Sequence, residues 1–387
     1  MVFWLAMSYT KKTVWILGAG FSRSLGGPLL GDLLTERGEL EFKSRFPNKK
    51  DTYLYHPYLS GLREHKYSNM PLWSDVEEFL EFVDLARVPG SAQDIVKTLL
   101  DSYGPNISVE DLRKRLLQSV AGDCSFASFK DPSLEAWEPY LDWHKTLNEK
   151  DTVITFNYDG VVERLGEHLK SKSLLTVLPW DKETQSRRPV LLKLHGSVDW
   201  CYGEQDTDPN NPQGGVTITS PKLAKCWADE EGKLPLIGIP GPNKAQFKKA
   251  HFDVLWELAL HHIRQAEVIV FLGYRFPPSD AQSRKELLKA IRENSSPYLR
   301  VHIVLGPDIN NPDTVRLQKM LETVLKGQER DLAYSDDEYT ADDVTFRSYR
   351  VIRQPLLVQD FFTVMDLGML DGWKNNVPSG TARLRHR

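Results

Sequence analysis

Four short clusters hold the residues whose types and spacing could do chemistry. Gly18-Ala19-Gly20 is the first. Glycines at that spacing let a backbone approach a phosphate, and the N-terminus of a following helix adds N–H donors and the positive end of its dipole. The run departs from G-x-G-x-x-G, because Arg23 stands where the third glycine would be. A tight strand-to-helix turn would use the same glycines, whereas Arg23 adds a planar cation suited to an anionic phosphate. Asn157 and Asp159 form the second cluster. They offer an amide and a carboxylate to a ligand, and equally an Asx turn or an N-cap for a helix opening near Gly160. His195, followed by the small residues Gly196 and Ser197, is the third. A neutral imidazole there can take a proton near pH 7; a lone histidine also serves structural roles, and its placement decides between the two. The fourth is Gly273-Tyr274, opening the string Gly273-Tyr274-Arg275-Phe276-Pro277-Pro278.

Placement follows from the elements around these clusters. Residues 13–17, 152–156, 190–194, 267–272 and 300–305 are short, nearly continuous apolar runs, as expected of strands buried on both faces. Helical spacing covers 161–170, 252–265 and 281–293. Alternating strands and helices predict an α/β fold with a Rossmann-like parallel sheet. Each cluster follows the last apolar residue of a strand, so the carboxyl ends of the sheet should gather all four at one crevice, where ligands bind in open α/β sheets. This convergence favours the proton-accepting role for His195. Between the first and second strands the texture turns amphipathic, at 72–86, 92–103, 109–121 and around Trp137–Trp143, which reads as a helical insertion. The expected division is residues 13–34 plus 151–350 as a Rossmann-like domain, 35–150 as the insertion and 351–387 as a C-terminal tail. Glu77, Glu78 and Glu81 read as the solvated face of a helix, and 204–215 and 335–343 as polar loops.

The bulk composition narrows the classes. A net charge of −4 gives no global reason to expect direct nucleic-acid binding. The three cysteines, Cys124, Cys201 and Cys226, include no C-x-x-C pair, so no metal site is expected and the thiols read as reduced and structural. The apolar run Met1–Met7 is too short for a signal-peptide core, and no window approaches the ~18 apolar residues of a membrane span. A soluble, cytoplasmic protein without a membrane partner is expected.

The clusters, in this order, resemble the sirtuin-like family: G-A-G-F-S at 18–22, T-F-N-Y-D at 155–159, L-H-G-S at 194–197 and L-G-Y-R-F-P-P-S-D at 272–280. With Asp75-Val76-Glu77-Glu78-Phe79-Leu80, the last string is most similar to the bacterial branch associated with antiphage defence. The resemblance implies that Gly18, Ala19, Gly20, Ser22 and Arg23 line the pyrophosphate side of NAD. Asn157 would hold the nicotinamide ribose or the attacking water, Asp159 the nicotinamide amide, and His195 would be the base. Gly273 and Tyr274 would flank the adenosine half, with Gly306-Pro307-Asp308 closing on it.

One departure matters: sirtuin deacylases carry a zinc ribbon of two C-x-x-C pairs, and this sequence has none, its slot being filled by the helical insertion. The resemblance therefore implies an NAD glycohydrolase, an NADase releasing nicotinamide and ADP-ribose, acting as an abortive-infection effector. Two other readings stand beside it, a non-catalytic NAD or ADP-ribose sensor or scaffold and a zinc-less deacylase. Unchecked hydrolysis of NAD would poison the cell, so gating is expected through a homo-oligomer or through a HerA-type ATPase partner, as in two-gene defence systems.

Overall fold

The structure is a computed structural model. It describes residues 11–45, 76–86, 107–125, 131–170, 174–177, 188–203, 233–238, 252–277, 280–296, 299–326 and 351–365, with short pieces at 90, 96–97, 100–101, 217–218, 338–341, 344–348 and 373–374. The loop expected over 204–215, Cys226, most of the helix expected over 92–103, the first ten residues and the basic end of the chain lie outside the described residues.

The chain opens with β1 (Thr13–Leu17), a one-turn helix α1 (Ala19–Ser22) and 3-10 turns at Arg23–Leu25 and Leu30–Asp32. Then come α2 (Glu36–Arg45), α3 (Val76–Leu85), α4 (Val109–Ser125), a 3-10 turn at Glu135–Trp137 and α5 (Glu138–Thr146). The middle runs β2 (Thr152–Thr155), α6 (Val161–Leu169), β3 (Leu175–Thr176), β4 (Val190–Lys193), β5 (Gly196–Gly203), β6 (Thr217–Ile218) and β7 (Lys233–Ile237). The last part runs α7 (Asp253–Arg264), β8 (Val268–Leu272), α8 (Ala281–Arg292), β9 (Arg300–Val304), α9 (Pro312–Lys326), β10 (Glu338–Ala341), β11 (Val344–Ser348), β12 (Val351–Gln354), α10 (Val358–Val364) and β13 (Trp373–Lys374).

The main sheet has seven strands in the order β12-β9-β8-β1-β2-β4-β3, and every pair in it is parallel. The register levels the strand ends. Leu17 pairs with both Thr155 and Leu272, Thr155 with Lys193, Leu272 with Val304, and Val304 with Gln354. The chain therefore leaves six neighbouring strands at one height. It proceeds from β1 through β2 to β4 on one side, then returns to β8 and β9 on the other, which puts a topological switch point beside β1.

Alternate strand residues feed two cores. Val14, Ile16, Ile154, Ile269 and Phe271 pack with Trp256, Ala259, Leu287, Leu317 and Leu321 of α7, α8 and α9. Trp15, Leu17, Val153, Val270 and Leu272 face the other way, onto Tyr140 and Trp143 of α5, Val162 and Leu165 of α6, and Phe361 and Phe362 of α10. A third core joins Phe79 and Val83 of α3 to Leu116 and Val120 of α4, closed by Val198, Cys201 and Ile237 of the antiparallel sheet β6-β5-β7.

Several expectations change here. The region from 351 onward is not a tail over 351–365: β12 extends the main sheet, and α10 buries Phe361 and Phe362 in its core. The aromatic stretch at the end of the region read as an insertion, Trp137, Tyr140 and Trp143, packs on the main sheet rather than with α3 and α4. Part of the acidic segment read as a loop is β10, paired with β11. The helix α9 and the small sheet beginning at Gly196 had no counterpart in the sequence reading. Glu81 is exposed as expected, and nothing is described of the side chains of Glu77 and Glu78.

Candidate functional site

A cavity of ≈ 650 Å³ opens at the carboxyl edge of the sheet, within the ~300–1,000 Å³ usual for small-molecule and cofactor sites. Gly18, Ala19, Gly20, Arg23, Asn157, Asp159, His195, Gly273 and Tyr274 all line it, as does Gly306. Segments 255 residues apart in sequence, from Gly18 to Gly273, share this wall because the register levels the strand ends. Ser22 stands behind the wall, 1% exposed. A smaller cavity of ≈ 340 Å³ between β3, β4 and α6, beside Glu163 and Lys170, contains none of these clusters.

The glycine turn is shaped first by its neighbour. Gly18 N–H donates to the Leu272 carbonyl at 3.0 Å and Gly20 N–H to that of Gly273 at 3.2 Å. A Cβ on Gly18 would lie 2.6 Å from Tyr274 Cα, and one on Gly20 2.7 Å from Gly273 Cα. These glycines therefore let two strand-end turns touch, whatever else they do for a ligand. The helix they open is one turn long, so its dipole is short. Arg23, half exposed, is paired with Asp32 at 2.5 Å, and an incoming anion would compete for it.

Asn157 and Asp159 knit β2 to that turn. Asn157 Nδ2 donates to the Gly18 carbonyl at 3.0 Å and to Ser22 Oγ at 3.3 Å. Asp159 Oδ2 accepts from Ser22 Oγ at 2.7 Å, while Oδ1 accepts from Val161 N–H at 3.0 Å. Asp159 thus makes the Asx turn, with Gly160 rather than Asp159 at the N-cap of α6, and its carboxylate lies at the cavity as well. Burial pushes the Asp159 carboxyl above the ordinary carboxylate range, against the opposing pull of Ser22, Lys193 and the Val161 N–H. Lys193, at the end of β4 and fully buried, donates from Nζ to the Asp159 carbonyl at 2.7 Å and to Glu163 Oε1 at 2.9 Å. Burial works against its ammonium, but the Glu163 and Asp199 carboxylates outweigh that and raise its pKa. It acts as a fixed cation under the β2–α6 turn.

His195 is 6% exposed. Its ring meets the edge of Phe156 at 4.9 Å and tilts toward Tyr158 at 6.3 Å. Its carbonyl accepts from Gly238 N–H at 2.7 Å, and Gly196 continues with φ +82°, where a Cβ would overlap the Leu236 carbonyl. The strand end carrying His195 is therefore fixed by the small sheet. Tyr274, expected at the adenosine half, lays its ring flat on Phe156 at 4.1 Å, at the His195 end. Leu305, Gly306, Leu357, Arg275, Asp313 and Arg316 also line the cavity. Pro307 and Asp308 do not line the cavity.

Sequence reasoning missed Asp280, which is 4% exposed in the cavity wall with Oδ1 3.6 Å from His195 Nε2. It lies inside the quoted 272–280 string, but an Asp before a helix reads as a cap. Cys124 also lines the cavity. Burial, with the charges of Asp123 and Asp159, pushes its thiol well above the ordinary range, which suits a structural cysteine and not a nucleophile. Among the described residues, no group of three or more His, Cys, Asp or Glu is arranged to hold a metal ion. No described helix is long and apolar enough to cross a membrane.

Residues 151–329 match the family model for a SIR2-like domain. That span contains Asn157, Asp159, His195, Gly273 and Tyr274, and excludes the glycine turn of β1. No curated protein matches the chain. Among solved structures, it is similar to Sir2 in complex with the inhibitor EX-527, 2'-O-acetyl-ADP-ribose and a deacetylated p53 peptide, with 13% identity, 92% of this chain and 94% of that one covered, and a TM-score of 0.38. It is also similar to Sir2Tm bound to a propionylated peptide, with 15% identity, 92% and 93% covered, and a TM-score of 0.36.

Proposed function

We propose that this chain, with its SIR2-like domain, is an NAD glycohydrolase that breaks the nicotinamide–ribose bond with water. One observation carries the reading: Asn157 and His195, from the ends of adjacent strands, line the same cavity as the glycine turn and Arg23. The reaction is NAD⁺ plus water giving nicotinamide, ADP-ribose and a proton. The N-glycosidic electron pair leaves with the pyridinium nitrogen, so nicotinamide departs neutral and needs no general acid. The anomeric carbon becomes oxocarbenium-like and takes the water oxygen, and the water's proton passes to a base. His195 is that base. With its Nδ2 engaged by Gly18 and Ser22, Asn157 presents Oδ1 to orient the water. The turn at 18–20 and Arg23 hold the pyrophosphate, and the apolar walls exclude bulk water and strengthen these polar contacts.

The test is nicotinamide release from NAD by the full chain, without any acyl-peptide. His195→Ala and Asn157→Ala should each lower kcat by about 10²–10⁴-fold. Wild type releasing none under any condition, alone or with the products of neighbouring genes, would end the hydrolase reading. Release that depends on an acetylated peptide would replace it with deacylation. The same reading makes the chain an NAD-depleting defence effector in the cytoplasm, silent until it assembles with its own copies or with a HerA-type ATPase. A stable monomer, fully active alone after size-exclusion chromatography, would overturn that gating.

A further inference from the structure

We infer that Asp280 is the positioning residue for His195: its carboxylate, braced by the Tyr274 hydroxyl, keeps the imidazole proton on Nε2 and makes Nδ1 the nitrogen that receives the proton of the attacking water. The inference rests on the glycohydrolase reading for its catalytic half, and on geometry alone for its tautomer half.

Asp280 occupies the N-cap position of the twelve-residue helix α8, yet its side chain makes no capping hydrogen bond. Asp is among the residues that cap best, so a cap that is not made marks a side chain committed elsewhere. Here Oδ2 accepts from Tyr274 Oη at 3.2 Å, and Oδ1 lies 3.6 Å from His195 Nε2. Both Asp280 and Tyr274 are buried, at 4% and 3% exposed. Phe156 stacks on Tyr274 and meets His195 edge-on, so one ring restrains both ends of the Tyr274–Asp280–His195 chain. A proton between Nε2 and a carboxylate is favoured on Nε2, and the tautomer of a histidine is set by the partner of its other nitrogen. The separation is slightly longer than a hydrogen bond, as catalytic contacts are before a substrate closes the site. Asp280 touches no reacting atom in this scheme; it acts through the ring.

The decisive experiment is nitrogen NMR of the histidine rings in the full chain, with His195 assigned by its loss in His195→Gln, alongside NAD kinetics. Wild-type His195 should read as the Nε2–H tautomer, and Asp280→Asn should mix or reverse it. The same variant should lower kcat for nicotinamide release by about 10–100-fold, with KM for NAD unchanged. An Nδ1–H tautomer in wild type, or an unchanged tautomer and kcat in Asp280→Asn, overturns the inference. If Asp280→Asn does not fold, Tyr274→Phe takes its place: a changed tautomer population supports the bracing role and an unchanged one overturns it. If wild type releases no nicotinamide, the glycohydrolase reading falls, and the tautomer still decides whether Asp280 positions His195.

Discussion

Gly18, Gly20 and Gly273 meet backbone to backbone, and that contact sets the geometry of the cavity floor. Gly273 sits at φ +67°, and a Cβ there would lie 2.5 Å from Gly20 Cα and from Phe21 N. Left-handed backbone alone costs a non-glycine residue about 1–2 kcal/mol, and here the obstructing atoms are backbone that cannot rotate away. Gly273→Ala should therefore lose more than that in denaturant unfolding, and should also weaken NAD binding measured by calorimetry, because the floor must move. Stability equal to wild type would show that the two turns do not constrain each other. At this scale the sequence exposed the residue types and the strand-end spacing. It could not expose partners. Asp159 is both Asx-turn acceptor and cavity wall, Tyr274 turns toward His195, and Asp280 turns away from the helix it precedes. Side-chain direction depends on neighbours brought by other strands.

The element that best shows how packing alters a side chain's chemistry is α7. Its buried stripe of Leu255, Trp256, Ala259 and Ile263 faces the sheet. His262 stands beside that stripe, where burial, reinforced by Lys12 and His261, pulls its pKa down to about 4 from 6.5. Because the folded value is depressed, the unfolded chain takes up the proton first as pH falls. The contribution of neutral His262 is thus fully present above about pH 6.5 and is lost as pH falls through about 4. At pH 5 the loss should be about 2 kcal/mol. His262→Gln should remove that part of the acid sensitivity, seen as a smaller fall in unfolding free energy between pH 7 and pH 5. An identical fall in both proteins would refute the assignment. Periodicity found α7 because its apolar stripe has helical spacing; it could not tell that His262 lies against the protein while His261 is exposed.

Across the whole molecule, residues 351–365 complete a fold that begins at residue 13. Phe362 stacks on Trp143 at 5.1 Å and meets Tyr140 edge-on at 5.3 Å, joining α10 to α5 over the main sheet. At 5% exposed it is core, and Phe362→Ala should cost about 3–5 kcal/mol. Denaturant midpoints of the two proteins check this; a change under 1 kcal/mol, the ordinary size for a surface site, would mean that α10 is a detachable tail. The strand β12 was illegible for a physical reason. Lying at the sheet edge, it alternates half-buried and buried residues, and Val-Ile-Arg-Gln lacks the continuous apolar run that identified the central strands.

What the sequence determined by itself is the alternation of buried strands with helices, and the placement of Gly18–Gly20, Asn157–Asp159, His195 and Gly273 immediately after those strands. Both are local properties: a strand buried on both faces must be apolar, and the residue that ends it must be small or polar to leave the sheet. Tertiary structure alone decided that the strand ends are level, that the aromatic stretch at 137–143 belongs to the main core, and that Asp280 comes to His195. Those outcomes depend on register and on contacts across the sheet, and no window of sequence contains both partners of such a contact.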